Sequence, residues 1–155
     1  MISLVIPGIP PSLNNAYFDR VVRAPAGSNH KFVVKRILST EGALYKKETT
    51  AYLAQRYRAE MAKLKPNNPY MVYFRFYTKV LNSGWPGKAK NRYRILDVSN
   101  GPKLLEDVLK DVAGVDDSCT MFVGAHKVHA VEEETRIWIW DLEIERSPLD
   151  VFEAL

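Results

Sequence analysis

"LDVSNGPKLLEDVLKDVAGVDDSC", Leu96–Cys119, gathers Asp97, Glu106, Asp107, Asp111, Asp116 and Asp117 in a chain whose formal net charge is +4. Directly before it, "GWPGKAKNRYR", Gly84–Arg94, holds Lys88, Lys90, Arg92 and Arg94 and no acid. The acidic stretch also sets the secondary structure around it. Pro102 belongs in the first turn of a helix, where its missing N–H costs nothing, so a helix starts near Ser99–Gly101. It runs from about Asn100 to Val112, with Leu104, Leu105, Val108, Leu109 and Val112 on one apolar face. Asn100, Lys103 and Asp107 fall on another stripe of the same helix. "AGVDD" is a turn.

Outward from this helix, "NPYMVYFRFYTKV", Asn68–Val80, is aromatic and β-branched and predicts a strand. Asn82–Arg94 between them is a long loop with Gly and Pro. Upstream, Ser39 or Thr40 caps a helix expected to run to about Lys65 and to stop before Pro66. Its apolar face is expected at Leu44, Ala51, Leu53, Ala54, Tyr57, Met61 and Leu64, with Lys46, Lys47, Arg56, Arg58 and Lys63 opposite. "RVVRAPAGSNHKFVVKR" predicts two short strands around an exposed loop, and "ISLVIPGI", Ile2–Ile9, a first strand broken by Pro7, Pro10 and Pro11. Downstream, "TMFVGAHKVHAVE" and "TRIWIWDLEIE" predict two strands joined as a hairpin through Glu132–Glu134. The pattern β–loop–α–β–loop–α–ββ is that of a small α+β domain: a mixed sheet with two main helices on one face. At 155 residues the chain is expected to be a single domain, 1–155. Its last residues, 146–155, are expected to form a tail or an oligomer contact.

The totals narrow the class. Hydrophobic residues are 46% and charged residues 26%, the balance of a globular protein with a real core. One cysteine, Cys119, cannot form an intrachain disulfide and fits a reducing compartment. No apolar run approaches the roughly 20 residues of a membrane span, and the first residues lack the basic start of a signal peptide. The expected location is cytoplasmic, without membrane attachment. His126 and His129 stand three apart on a strand and point to opposite faces, so they are not joint ligands.

The chemistry on offer is that of oxygen donors beside cations. Carboxylates from Asp97 and from the Asp116–Asp117 turn can hold a hard divalent cation, Mg²⁺, if the fold brings the two ends of the helix together. Lys103 can neutralise a phosphate in its transition state. Acids repel DNA unless a metal lies between, and the basic loop offsets that repulsion, the charge plan of a metal-dependent nuclease. The competing reading is ordinary: Asp97 and Ser99 as helix caps, Lys103 with Asp107 and Glu106 with Lys110 as surface i,i+4 pairs, and the Asp pair as turn formers.

Three segments resemble one family. "IPGIPPSLNNAYF" is similar to the proline-rich, Asn-containing N-terminal signature of RusA-type Holliday junction resolvases. "LSTEGALYKKE" resembles its Ser-x-x-Gly-x-x-Tyr helix start. "DVSNGPKLLEDVLKDVAGVDDS" resembles its core motif, Asp-x-Asp-Asn-x-x-Lys-x-x-x-Asp followed by Asp-Asp. The resemblance implies a homodimeric, Mg²⁺-dependent endodeoxyribonuclease (with Mn²⁺ as the alternative ion) that cleaves four-way DNA junctions in recombination and repair, in a bacterial, phage or prophage setting. It implies Asp97, Lys103 and Asp117 as catalytic, Asp97, Asp116 and Asp117 as metal ligands, and Ser99, Asn100 and Asp107 in support. A metal-activated water would attack the phosphodiester. DNA backbone contacts are expected from Lys46, Lys47, Lys88, Lys90, Arg92 and Arg94. Ser99 stands where the motif has its second Asp, and a hydroxyl is a much poorer metal ligand than a carboxylate. The alternative is therefore a junction- or DNA-binding protein without catalysis.

Overall fold

The fold is described from a computed structural model, which covers residues 1–27, 29–94 and 98–143, the side chains of residues 13, 14 and 100 excepted. The expected tail or oligomer contact at 146–155 lies outside the described residues, as does Asp97.

Strand β4, Tyr70–Thr78, is the centre of a four-stranded mixed sheet. Its residues Tyr70, Val72, Phe74, Phe76 and Thr78 are buried on one face, and Met71, Tyr73, Arg75 and Tyr77 lie on the other. β6, Glu134–Asp141, runs antiparallel along one side of it, with Phe74 opposite Ile137. β1, Ile2–Pro7, extends the sheet antiparallel beyond β6. β5, Thr120–His129, runs parallel to β4 on the other side and forms an edge.

A parallel pair needs a long crossover, which α4, Asn100–Ala113, supplies between β4 and β5. The expected hairpin of the last two strands does not form. β5 and β6 flank β4 instead of pairing with each other. β4 is apolar or aromatic on both faces apart from Arg75 and takes the central place, while β5 exposes Met121, Phe122 and Val123 and suits an edge. The connection at residues 130–133 must cross two strand spacings, about 10 Å, within reach of four extended residues at ~3.3 Å each. It is pinned to the end of β4, which it crosses, and to the residue after β1. Ala130 N–H donates to Thr78 O (2.9 Å), Gly8 N–H to Glu133 O (2.8 Å), and the Thr78 hydroxyl to Glu133 Oε1 (2.7 Å).

One face of the sheet carries the main core. Leu4 and Ile6 of β1, Val72 and Phe74 of β4, and Ile137 and Ile139 of β6 pack under Leu105, Val108 and Leu109 of α4 and Leu53 of α2, Thr40–Arg56. Both main helices lie on this face, as expected for an α+β fold. α2 is shorter than its sequence suggests. The helical path breaks at Tyr57 (φ −123°), and a separate turn of helix, α3, follows at Arg58–Met61. Neither Pro nor Gly causes the break. The Tyr57 hydroxyl accepts a hydrogen bond from Val5 N–H on edge strand β1 (3.1 Å), which satisfies a backbone group that the sheet leaves unpaired. The expected apolar face of α2 is also corrected: Leu44 is 55% exposed, and Ala51 and Ala54 face solvent. Gly42, Tyr45, Thr49, Tyr52 and Leu53 make the inward stripe, and the side chains smaller or more polar than leucine hid it from a hydrophobic count.

Before α2, the proline-rich segment ends in one helical turn, α1, Leu13–Ala16. An antiparallel ribbon of β2, Tyr17–Arg23, and β3, Phe32–Leu38, follows as a second sheet.

Candidate nuclease site

The site is built at the first turn of α4. Gly101 faces the sheet so closely that a Cβ there would lie 2.7 Å from Phe76 Cζ and 3.1 Å from Pro10 Cγ. Only glycine lets this turn press onto β4 and the proline loop. α4 ends where Gly114 takes the left-handed conformation (φ +70°) and donates to Lys110 O, a C-terminal stop that needs no Cβ. Val115 then anchors in the core, and the chain turns back along the helix it has just left.

This reversal brings the Asp pair to the lysines. Asp116 caps a short 3₁₀ turn, Asp117–Cys119, by accepting from Ser118 N–H (3.0 Å), and it pairs with Lys110. Asp117 Oδ2 meets Lys103 Nζ at 2.5 Å, and the same ammonium lies 3.5 Å from Asp107 Oδ1. The turn at the end of the helix thus reaches the lysine at its start. The expected Glu106–Lys110 pair is not made in this arrangement, because Lys110 turns to Asp116. Ser99 occupies the N-cap position of α4 without a side-chain cap bond, so it is not the helix cap that its residue type suggests.

A residue absent from the sequence-based set completes the cluster. The Tyr17 hydroxyl donates to Asp107 Oδ2 at 2.5 Å. Tyr17, Asp107, Lys103 and Asp117 form one chain of contacts from the N-terminal segment to the end of α4. Tyr17 is the first residue of β2, and its place is set one residue earlier. Ser39 caps α2 by accepting from Gly42 N–H (3.0 Å), and its own hydroxyl donates to Asn15 O (2.5 Å). Ser39 N–H donates to Ala16 O (2.8 Å). Gly42 packs against Ala16 so tightly that a Cβ would fall 2.3 Å from Ala16 O. The Ser-x-x-Gly element therefore clamps the turn that delivers Tyr17. The only signal for Tyr17 in the sequence was its membership of "PPSLNNAYF"; nothing local predicts a partner 90 residues away.

The electrostatics follow these contacts. The hydrogen bond to Asp117 holds the Lys103 ammonium above its ordinary pKa, against partial burial. Lys110 holds the Asp116 carboxyl well below the usual carboxylate range, helped by Ser118 N–H. Burial raises the Tyr17 phenol, as does the bond to Asp107. Burial also raises Glu106, opposed by Lys103 and reinforced by the charges of Asp117 and Asp107. For a carboxyl, a raised folded pKa means that its ionised form weakens the fold. That penalty is absent below the unfolded value, about pH 4, and fully present above the raised one. Glu106→Gln is therefore expected to raise Tm at pH 7 in divalent-free buffer and to leave it unchanged below about pH 4. Equal shifts at both pH values would refute the electrostatic cause.

The other expected residues separate into groups. Lys46 Nζ bridges to Asp111 on α4 at 2.9 Å and ties the two helices together, while Lys47 is exposed on α2. The basic loop is a tied excursion: Leu81 pairs with Tyr93, and the Asn82 amide donates to Asn91 O and Tyr93 O. Arg92 lies over the Trp85 and Tyr93 rings, and Arg94 donates to Lys79 O. Lys88 and Lys90 are exposed on the same loop. The Asn100 side chain lies outside the described residues. His126 and His129 do lie on opposite faces of β5. His126 bonds to the Tyr73 hydroxyl (2.8 Å), and His129 Nδ1 accepts from Val80 N–H (3.3 Å).

Among the described residues, no three His, Cys, Asp or Glu side chains converge as a metal cage. Asp107 and Asp117 nevertheless face one shared cation, Lys103. No helix among the described residues is long and apolar enough to cross a membrane. The family model described as "Endodeoxyribonuclease RusA" matches residues 14–140, which include Tyr17, the Ser39–Gly42 clamp and the whole acidic cluster. Among curated proteins, none matches the chain.

Proposed function

Because the chain belongs to the RusA family of endodeoxyribonucleases, we propose that it cleaves four-way DNA junctions with Mg²⁺ as cofactor, as a homodimer in which residues 1–155 act as one domain. The observation that supports this most directly is the return of Asp117 to the first turn of α4, where it shares Lys103 with Asp107. In this reading Asp97 and Asp117 hold the ion, and Asp116, next to Asp117 in the chain, contributes charge. When bound, the ion supplies Lewis acidity at the phosphate and lowers the pKa of the attacking water.

The chain's own groups do the rest. Lys103 is held by two carboxylates, and it stabilises negative charge on the phosphate once DNA draws it away from Asp117. Tyr17 fixes Asp107, so that the Lys103 side chain keeps one carboxylate partner on its own helix. Asn100 orients the segment that carries Asp97. Lys47, Lys88 and Lys90 make backbone contacts that carry no sequence preference, with Arg92 and Arg94 shaping the loop. A four-way junction has two symmetric scissile points, which a C₂ dimer matches.

A second reading is favoured by one observation: Ser99 stands where the family motif has a carboxylate, which leaves the first-turn donor set poorer. In that reading the protein binds junctions without cutting them. The test is incubation of the protein with a synthetic four-way junction, with Mg²⁺ and separately with Mn²⁺. Paired linear products are the expected result. Tight binding without cleavage in both ions selects the second reading. Equal affinity for linear duplex overturns both. Light scattering at micromolar protein is expected to give the dimer mass.

A further inference from the structure

The β2–β3 ribbon holds a charge imbalance that the acidic cluster does not use. Residues 17–38 include five of the chain's 22 lysines and arginines but one of its 18 acids, so the ribbon alone carries +4, equal to the net charge of the whole chain. Its single acid, Asp19, is already paired with Arg36 (3.3 Å). The register then places Arg20 directly opposite Lys35. Both are exposed, and neither pairs with an acid among the described residues. Residues opposite in register share a face, so this pair lies between Phe18 with Ile37 on one side and Val22 with Val33 on the other. No acid stands on that face. Like charges directly opposite each other destabilise a strand pair, and a two-stranded ribbon is marginal on its own. Two cations held together there suit an anion from outside the chain.

The ribbon also starts at the site. Tyr17 opens β2 with its hydroxyl on Asp107 (2.5 Å). Beyond that base, Phe18 on one face and Val21, Phe32 and Val34 on the other are exposed, so solvent reaches both faces. Arg20 stands three residues from Tyr17, about 10 Å along an extended strand. That is about three base-pair steps of duplex DNA at ~3.4 Å each. We propose that the β2–β3 ribbon is a DNA-gripping arm, in which Arg20 and Lys35 clamp backbone phosphates about three nucleotides from the one to be cut. The inference rests on the junction-nuclease reading for the place of the cut, but the phosphate clamp stands without cleavage. The rival occupant is a second copy of the chain, drawn to the exposed valines and Phe32. Charge argues against it: two ribbons packed on each other would set +4 against +4, whereas a polyanion neutralises the patch.

The test uses the full chain with Arg20→Gln/Lys35→Gln. Its control is Arg58→Gln/Lys63→Gln, which removes the same charge from exposed positions in and after α3. Four-way junction affinity is measured in divalent-free buffer across a salt series. The ribbon variant is expected to lose about 1.8 from the logarithmic salt slope, the share of two phosphates, and the control less than about 0.5. Lys35→Glu, which gives Arg20 an acid directly opposite, is expected to raise Tm and yet weaken junction binding, a combination that a purely structural role does not produce. Single methylphosphonates stepped along the junction strands are expected to weaken native binding most at about three nucleotides from the cut, and to lose that effect in the ribbon variant. An unchanged slope, or an equal loss in the control, overturns the clamp. An unchanged slope with a fall from dimer to monomer mass by light scattering overturns it in favour of the second copy. If the native protein binds junctions without cleaving them, the slope and Tm still decide the clamp, and only the nuclease reading fails. A double variant that does not fold leaves the decision to Lys35→Gln alone, which must lose about 0.9 from the slope.

Discussion

The Asp117→Asn protein is expected to bind a four-way junction about as tightly as the native chain and to cleave it roughly 10³-fold more slowly. Asp117 lies in the short turn after α4, with its side chain 49% exposed and paired to Lys103. It supports no part of the core, so replacing one oxygen by an amide nitrogen removes charge without removing packing. The fold should tolerate the change, because an exposed ion pair contributes little, about 0–1 kcal/mol. Binding should hold or strengthen slightly, since one negative charge beside the phosphate is gone. Catalysis should collapse, because a neutral amide is a weaker ligand for a hard cation. Asp111→Asn is the matched control. It removes a carboxylate from the same helix, but one that pairs with Lys46, and cleavage should change by less than about threefold. Comparable losses in both variants would mean that the overall field, and not this site, sets the rate. Native-like cleavage by Asp117→Asn would remove the central residue from the proposed mechanism.

Gly42→Ala is expected to be the most damaging single change to stability. The added methyl would sit 2.3 Å from Ala16 O and 2.9 Å from Ala16 Cα. These are backbone atoms, so no side-chain rotation relieves the clash. Overpacking costs typically about 1–3 kcal/mol, and a backbone-on-backbone case belongs at the upper end. For a chain of this size that corresponds to a drop in Tm of roughly 6–12 °C. The displacement should spread in one direction. Ala16 precedes Tyr17, and Tyr17 holds Asp107, so cleavage at a temperature where the variant is folded should fall as well. Leu44→Ala, two residues away on the 55% exposed side of α2, should shift Tm by only a degree or two. Equal effects at both positions would show that helix propensity, and not the α1–α2 contact, limits stability.

The two positions show why parts of the molecule were legible in the chain and others were not. α4 was readable because its Pro102 start, its five apolar residues and its Gly114 stop are all local signals of one period. The central strand was readable because eight of its nine positions, all but Arg75, are aromatic, β-branched or apolar and leave few alternatives. α2 misled because its inward stripe uses Gly, Thr and Tyr, and its end is set by a hydrogen bond from a strand more than 50 residues earlier. A β5–β6 hairpin is what adjacency in the chain alone predicts, and the position of β4 between them is a long-range choice made by burial.

The same division holds at the site. Residue types and spacing alone offered oxygen donors beside cations without showing that they meet, and the three motifs identified the family to which the chain belongs. They also exposed Ser99 as a departure. What only the tertiary structure decided is the company each residue keeps: Asp117 folded back to Lys103, Lys110 taken by Asp116, Tyr17 on Asp107, and Lys46 spent between helices. Periodicity is a property of one element at a time. These contacts join residues 6 to 90 apart in the chain, and packing of the sheet against α4 is what brings them within the few ångströms where charge and hydrogen bonding act.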